Sequence, residues 1–333
     1  MTRVRKKVTI KEKVLSFLEK NRGQHISGAK IADELGVSRN AVWKSIKQLE
    51  KEGYDIKAVT NKGYCLSETS HQMSEVGIRE QLSKEFQKNK IYYFDTIDST
   101  NKKAKELAIE GMPHGTLVIA NEQTAGKGRY GRSFESPKDS GIYMSLILKP
   151  SELAYQHPTI ITSYAAVVVT KVVAEMTGKQ LGIKWVNDLF LENKKVCGIL
   201  TEAVTDFESG MMEWIVLGIG LNVSTETDIF SEEVSQKARA IFEKEGVEVN
   251  RNELVANIMS SLLSLHQELN EVDMMQLYKE NSMVVGKKVL IQQGKEEFFV
   301  TVKDIDTEGQ LIIETETGEV KTFNSGEIRI ILN

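Results

Sequence analysis

Residues 121–135 read NEQTAGKGRYGRSFE, and the residues after their last glycine decide the fold. Strand formers at Thr116–Ala120 lead into this stretch. It holds Gly126, Gly128 and Gly131, interleaved with Lys127, Arg129 and Arg132. Glycines let a backbone approach an anion closely, and the intervening cations neutralise it. The letters also fit G-x-G-x-x-G, but that dinucleotide fingerprint needs a helix opening on its last glycine. Here Arg132–Gly141 reads RSFESPKDSG, with Pro137, Gly141 and no helical period of apolar residues. No helix N-terminus is offered to a pyrophosphate, so a Rossmann site is excluded. A protein-kinase loop is excluded too, because the chain beyond has nothing like V-A-I-K, H-R-D or D-F-G. Two readings remain: a loop that closes over a phosphate or carboxylate, and a basic surface loop.

The chain has 333 residues, enough for two or three domains, and 41% of them are hydrophobic, enough for real cores. No run approaches the ~18 uninterrupted apolar residues of a membrane span. The start, MTRVRKKVTIKEK, is basic but has no apolar h-region, so no signal peptide is expected. Cys65 and Cys197 lie far apart without metal-type spacing, and a thiol-reduced, cytoplasmic protein is expected. The net charge of −4 is uneven. Residues 1–66 carry 15 Lys and Arg against 7 Asp and Glu, a balance of +8 that leaves −12 for the rest. A basic head on an acidic body predicts that the head meets a polyanion; a soluble Lys-rich helical segment is the plainer alternative.

The head has the punctuation of three helices. Residues 8–20 place Ile10, Val14, Leu15 and Leu18 on one face. Ser27 can cap a second helix with Ile31, Ala32 and Leu35 inward and Gly36 at its end. Ser38 can cap a third, with Val42, Ile46 and Leu49 inward. Two short helices joined by a Gly-containing turn predict a helix-turn-helix. Its second helix would present Ser38, Arg39, Asn40, Lys44 and Lys47 to bases and phosphates. DIKAVT and YCLS flank Asn61-Lys62-Gly63, which predicts a hairpin and hence a winged form, with Lys57 and Lys62 on the wing. A winged fold also serves protein contact; the basic balance favours DNA. Residues 67–90 read as a polar, partly helical connector.

The body, residues 91–283, mixes the two periodicities. IYYFDTI, TLVIAN, IYMSLILK and the stretches GIKWVNDLFLENKKVCGILTEA and MMEWIVLGIGLNV read as strands. Ser99–Glu110, residues 157–177 and Asn250–Asn270 read as helices, the second apolar all round and buried. This predicts an α+β multidomain protein with a largely antiparallel sheet. Three polar clusters stand out. Asp98-Ser99-Thr100-Asn101 can cap a helix or hydrogen-bond a polar ring. Lys184-Trp185-Val186-Asn187-Asp188 can be a plain turn or a site. Lys194-Lys195 can be solvated or stand at the mouth of a strand, ahead of Gly198.

Taken in order, DSTN, QTAGKGRYGR, KWVND, KKVCGIL and GIGLN resemble the biotin–protein ligases, and with the winged head the whole chain resembles the bifunctional bacterial biotin ligase and biotin-operon repressor family. Lipoate ligases carry a different, RRxSGGG-type loop that is absent here. The resemblance implies a class II synthetase-like ligase domain and a two-step reaction. Biotin's carboxylate attacks the α-phosphate of Mg-ATP, giving biotinyl-5′-AMP and pyrophosphate, and an acceptor lysine then expels AMP. In-line attack on phosphorus needs orientation and charge neutralisation but no protein nucleophile, which suits a site rich in Gly, Lys and Arg. It further implies that Ser99, Thr100, Asn101 and Gln123 hold the ureido ring and nearby groups. Lys127, Gly128 and Arg129 would close over carboxylate and phosphate, with Lys195 beside the reacting oxygens. Arg129 and Lys195 would be the catalytic pair. Gly198 would leave room for the ligand chain, Asn222 would approach the adenylate, and Asp188 would stand on the Mg2+ side. Three positions depart from the family. Lys127 replaces the usual Arg, a point charge in place of a bidentate fork. Phe134 stands where Trp is usual, for stacking on adenine, and Val186 replaces the Pro of KWPND.

From Gly286, five short strands with turns at Gln293-Gly294, Thr307-Glu308-Gly309, Thr317-Gly318 and Ser325-Gly326 predict a small SH3-like barrel over residues 284–333. In the family this module assists ATP and acceptor engagement; by itself it reads equally as a packing cap. The family further implies biotinyl-5′-AMP as corepressor, a homodimer on adenylate binding, operator DNA, and a biotin carboxyl carrier protein or biotin-dependent carboxylase as acceptor. Two other functions fit parts of the chain: a biotin sensor without catalysis, which would lack Arg129 or Lys195, and a ligase with an inert head, which would lack Arg39, Asn40, Lys44 and Lys47.

Overall fold

Short polar residues stop and start the helices of the head, because their side chains satisfy backbone N–H groups that a helix leaves open. This is visible in the computed structural model, which describes residues 8–68, 70, 72–153, 158–205, 212–224, 229–242, 249–268, 270–293, 296–323 and 327–330. Thr9 and Glu12 form a capping box on α1 (Ile10–Lys20). Ser27 caps α2 (Gly28–Leu35), which ends on Gly36 at φ 63°. Ser38 caps α3 (Arg39–Lys51) by accepting from the Ala41 N–H at 3.1 Å. Strands β1 (Ile56–Val59) and β2 (Gly63–Leu66) pair antiparallel as the predicted hairpin. Gly63 is required there: its φ is 97°, and a Cβ would lie 2.1 Å from the Ile26 carbonyl oxygen.

Val14, Leu15, Leu18, Ile31, Val42, Ile46, Leu49 and Leu66 form the core of this unit. Burying each such aliphatic side chain is worth roughly 1.5–3 kcal/mol, an upper estimate. Ile10, expected inward, sits in the first turn of α1 and is 43% exposed. The stretch read as a connector adds structure of its own. Within it α4 (Glu75–Gln81) packs on α1 with Ile78 fully buried.

The chain divides into two compact units: residues 1–88 with 246–257, and residues 89–245 with 258–333. Inside the first, Asn252 is 1% exposed and uses both ends of its amide. Its Nδ2 donates to the Gln72 carbonyl at 3.0 Å, and its Oδ1 accepts from the Ser74 N–H at 3.0 Å. Replacing it with Ala removes this partner from two partly buried backbone groups, a cost of about 1–3 kcal/mol. Asn252→Ala is expected to lower the thermal midpoint of this unit, read by circular dichroism; an unchanged midpoint would remove the role assigned to the amide.

The second unit is built on a seven-stranded sheet. It runs through β3 (Ile91–Phe94), α5 (Thr100–Ile109), β4 (Thr116–Ala120), β5 (Gly141–Leu148) and α6 (Pro158–Thr177). It continues as β6 (Gly182–Lys184), β7 (Asp188–Leu191), β8 (Lys194–Thr205), β9 (Met212–Asn222) and α7 (Glu232–Lys237). The sheet order is β3-β4-β5-β9-β8-β7-β6. Among the described residues of this sheet, only β3 and β4 pair in parallel; the other ladders are antiparallel, as the sequence predicts. Helix α6 is long and apolar enough to cross a membrane by composition, but it packs on β8 with Ile161, Ala165, Val169 and Val173 buried. An all-apolar helix belongs in a core when it is covered on every side.

After α8 (Arg251–Glu268) and α9 (Glu271–Glu280) come β10 (Lys288–Gln293), β11 (Glu296–Ile305), β12 (Leu311–Thr315), β13 (Val320–Phe323) and β14 (Glu327–Ile330). They form one antiparallel sheet in the order β13-β12-β11-β10-β14. Where the sequence predicts a closed barrel, no ladder joins β13 to β14 among the described residues. Gly309 and Gly318 sit at φ 76° and 82°, as their turns require. The turn residues Gly294, Ser325 and Gly326 lie outside the described residues. The Trp185 indole N–H donates to the Gly309 carbonyl at 2.9 Å and the Tyr278 hydroxyl to the Val186 carbonyl at 3.0 Å, so the KWVND turn is pinned from two directions. The Trp185–Val186 peptide is cis.

Candidate active site: a glycine-floored cleft

Alternate residues of a strand share a face, so Gly218 and Gly220 of β9 point the same way. Gly198 of β8 lies directly opposite Gly220 in the ladder. The three glycines leave a bare patch on this face, and a cleft of about 160 Å³ opens over it. A Cβ on Gly218 would stand 2.0 Å from Asn101 Oδ1, and one on Gly220 2.5 Å from the Phe134 ring. A Cβ on Gly198 would meet Lys195 Nζ at 3.2 Å. Phe134 thus lies over the glycine floor, its ring facing both Gly198 and Gly220.

One end of the cleft is a buried polar network. Ser99 caps α5, the plainer of its two sequence readings, and also lines the cleft. Thr100 donates to Gln123 Oε1 through its N–H at 2.8 Å and its hydroxyl at 3.0 Å. Gln123 Nε2 donates to Ser136 Oγ at 2.9 Å. Asn101 Nδ2 donates to Glu202 Oε2 at 2.9 Å and to the Leu200 carbonyl at 3.3 Å. Its Oδ1 accepts from Ser145 Oγ at 2.6 Å. Burial works to raise the Glu202 carboxyl, but bonds from Asn101 and Lys105 outweigh it and hold the group below its usual range. Sequence reading missed Ser145 and Glu202. Ser145 had a signal: it is a lone hydroxyl inside the apolar run IYMSLILK.

The other end is cationic. The Gly/Arg stretch folds back as a hairpin, with Phe134 N–H donating to the Gly126 carbonyl at 2.9 Å and Gly128 N–H to the Arg132 carbonyl at 2.8 Å. At its tip, Tyr130 and Gly131 take left-handed φ values of 57° and 75°. Arg129 reaches from this tip to Asn187 Oδ1 at 3.2 Å, and its guanidinium lies 5.1 Å from the Tyr130 ring centroid. Asn187 is itself held by the Ile199 carbonyl, to which its Nδ2 donates at 2.9 Å. Lys195 Nζ lies 2.6 Å from Asp188 Oδ1. Lys127, Arg129, Arg132, Lys184 and Lys195 line the cleft with Asp188 as the one acid among the described lining residues. A set of cations facing so few acids suits a polyanion. Sequence reading marked Lys184 and Asn187 as part of a stretch that could be a plain turn or a site, and did not single out Tyr130.

Eleven of the expected cleft residues come together here: Ser99, Thr100, Asn101, Gln123, Lys127, Gly128, Arg129, Phe134, Asp188, Lys195 and Gly198. Asn222 does not. It is 4% exposed at the end of β9, outside the cleft lining, and donates to the Arg239 carbonyl at 3.2 Å. The GIGLN motif alternates faces, so Asn222 shares the face of the floor glycines but stands two residues beyond them. Asp188 faces Lys195, and no group of three His, Cys, Asp or Glu that could hold a metal is found among the described residues.

In the first unit, Arg39, Asn40, Lys44 and Lys47 are exposed on α3, Ser38 is its exposed cap, and Lys62 is exposed at the wing turn. Lys47 is paired with Glu50 at 2.7 Å, so a phosphate would have to displace that carboxylate.

Known proteins show the same division. Residues 93–222 match the biotin/lipoate A/B protein ligase family, residues 11–65 an HTH domain, and residues 284–330 the biotin protein ligase C terminal domain. The bifunctional ligase/repressor BirA of Bacillus spizizenii is 34% identical over 325 residues, 97% of this chain and 99% of that protein. Its counterpart in Escherichia coli is 27% identical, covering 97% of both chains. Among solved structures, the biotin protein ligase from Aquifex aeolicus in complex with biotin and ATP aligns with a TM-score of 0.62 at 25% identity, over 74% of this chain and all of that one.

Proposed function

The chain belongs to the bifunctional biotin ligase/repressor family, and from that premise we propose how its residues divide the work. The protein is an ATP-dependent biotin–protein ligase and a DNA-binding repressor. The observation that carries the residue assignment is the cleft itself: a buried amide and hydroxyl network, five lining cations against one acid, and a floor that includes Gly198, Gly218 and Gly220.

Biotin's ureido ring takes the network end, against Thr100, Asn101 and Gln123, with Ser99 at the helix start. Its valeryl chain runs along the glycine floor once the Phe134 ring turns aside, and its carboxylate reaches the cations. The α-phosphate of ATP meets it there. Lys127, Gly128 and Arg129 lie over the triphosphate, and Lys195 supports the charge that grows on the oxygens as carboxylate attacks phosphorus and pyrophosphate leaves. Asp188 holds the Lys195 ammonium in place. Asp188 would be the one carboxylate on the magnesium side of Mg-ATP, an ion that takes most of its ligands from phosphates and water. Phe134, already over the floor, is placed to cover the adenylate. In the second step the acceptor lysine's amine attacks the acyl carbon of the mixed anhydride, and AMP departs with the bonding electron pair. The acceptor is a biotin carboxyl carrier domain of the acetyl-CoA carboxylase type.

The same adenylate serves as corepressor. By crossing the gap between the hairpin tip and the floor it stabilises the closed loop, favours a homodimer through the second unit, and presents two winged heads to a two-fold operator. Arg129 ties the hairpin tip to Asn187.

The test is biotin-dependent pyrophosphate release, followed by transfer to a biotin-carrier domain. Release and transfer are the expected result; biotin binding without release would reduce the chain to a sensor. In the same assay Arg129→Ala is expected to form the adenylate but lose it to solvent at least tenfold faster, the loss of one charge-assisted contact of about 1.5–3 kcal/mol. Unaltered retention would remove the loop from the site.

A further inference from the structure

The exposed stripe of α3 carries one residue that phosphate binding does not explain. Val42, Ser45, Ile46 and Leu49 are buried, while Arg39, Asn40, Trp43, Lys44 and Lys47 form the outward stripe at helical spacing. Trp43 is 48% exposed at the middle of it, one position from Val42 at 0%. Arg39 precedes it by one turn and Lys47 follows it by one turn. A large indole left half in water adds little to the core, and contacts to a phosphate backbone call for cations and amides rather than an apolar ring. The surrounding cations and the +8 balance of residues 1–66 identify duplex DNA as the surface this stripe meets. In the major groove the apolar group on offer is the C5 methyl of thymine.

We infer that Trp43 reads sequence by packing its indole on thymine methyl groups in the major groove, between phosphates held by Arg39 and Lys47. The inference rests on the repressor reading and adds the chemistry of base choice to it. Trp43 is the fifth residue of α3. It therefore belongs to the N-terminal part of a recognition helix, the part that reaches base edges.

The test uses the full-length protein with biotin and ATP. Duplexes are first enriched from a random-sequence library. The best duplex is then titrated with the parent protein, Trp43→Ala and Trp43→Phe, and each thymine is replaced in turn by deoxyuridine, which lacks only the methyl. Trp43→Ala is expected to weaken binding to the enriched duplex about tenfold, a typical loss for one misread base pair. Binding to random duplex and the salt dependence, which report phosphates, should not change. Deoxyuridine at one or two positions should weaken the parent and leave Trp43→Ala unaffected, and Trp43→Phe should keep part of the preference. Equal losses on random and enriched duplex overturn the proposal, as does a deoxyuridine effect of the same size in parent and variant. So does unchanged DNA binding with weakened dimerisation, which would give the indole to a protein contact. Binding without any sequence preference refutes base reading by Trp43 and leaves the DNA-binding reading intact. Failure to bind any duplex would instead sink the repressor reading.

Discussion

Lys195→Ala is expected to slow adenylate formation by about 100- to 1,000-fold, the usual effect of removing one preorganised donor from a charge-developing transition state. Position is the reason. Lys195 lies at the cationic end of the cleft, and the Asp188 carboxylate fixes its ammonium at 2.6 Å. A pair already aligned reorganises little when negative charge builds on the phosphate and carboxylate oxygens. Asp188→Asn keeps the shape but frees the ammonium, so a smaller loss is expected there. Biotin affinity should change little in either variant, because the ureido end of the cleft is untouched. Single-turnover pyrophosphate release is the measurement. A native rate in Lys195→Ala would refute the role, and a fall in biotin affinity with the rate intact would assign the lysine to ground-state binding.

Gly218→Ala is expected to raise the biotin requirement by more than tenfold, and by more than Gly220→Ala does. Both new methyl groups land in occupied space, but the occupants differ. At Gly218 the neighbour is Asn101 Oδ1, 2.0 Å away, on an amide tied to Ser145, Leu200 and Glu202. Moving it breaks buried hydrogen bonds, at about 1–3 kcal/mol for each group left unpaired. At Gly220 the neighbour is the edge of the Phe134 ring, which can turn on its own side chain. Titration of biotin under saturating ATP separates the two variants. Equal effects would mean that the Asn101 network plays no special part in the biotin end.

Much of the fold is legible in the chain because local rules decide it. Ser27, Gly36 and Ser38 mark the helix ends of the head by capping chemistry, and Asn61-Lys62-Gly63 marks the wing by its positive φ values. Alternation along GIGLN marks β9, and the absence of a helix after Gly131 rules out a dinucleotide fold. The stretch 67–90 is harder, because α4 buries only a short apolar face and its polar composition hides the contact with α1.

The chain by itself therefore determined the parts of this protein: a winged head, an antiparallel α+β body, a small β module, and the residue types of the site. Those arise from periodicity, capping and turn chemistry, which act over a few residues. Only the tertiary structure decided which of the marked residues meet. It brought Arg129 to Asn187 across 58 positions and Asn101 to Glu202 across 101, and it moved Asn222 out of the cleft. It turned Asp188 toward Lys195 and tied Asn252 to Gln72 and Ser74. Such contacts depend on strand register and on how sheets and helices stack, and a one-residue change of register would face each strand's side chains the other way.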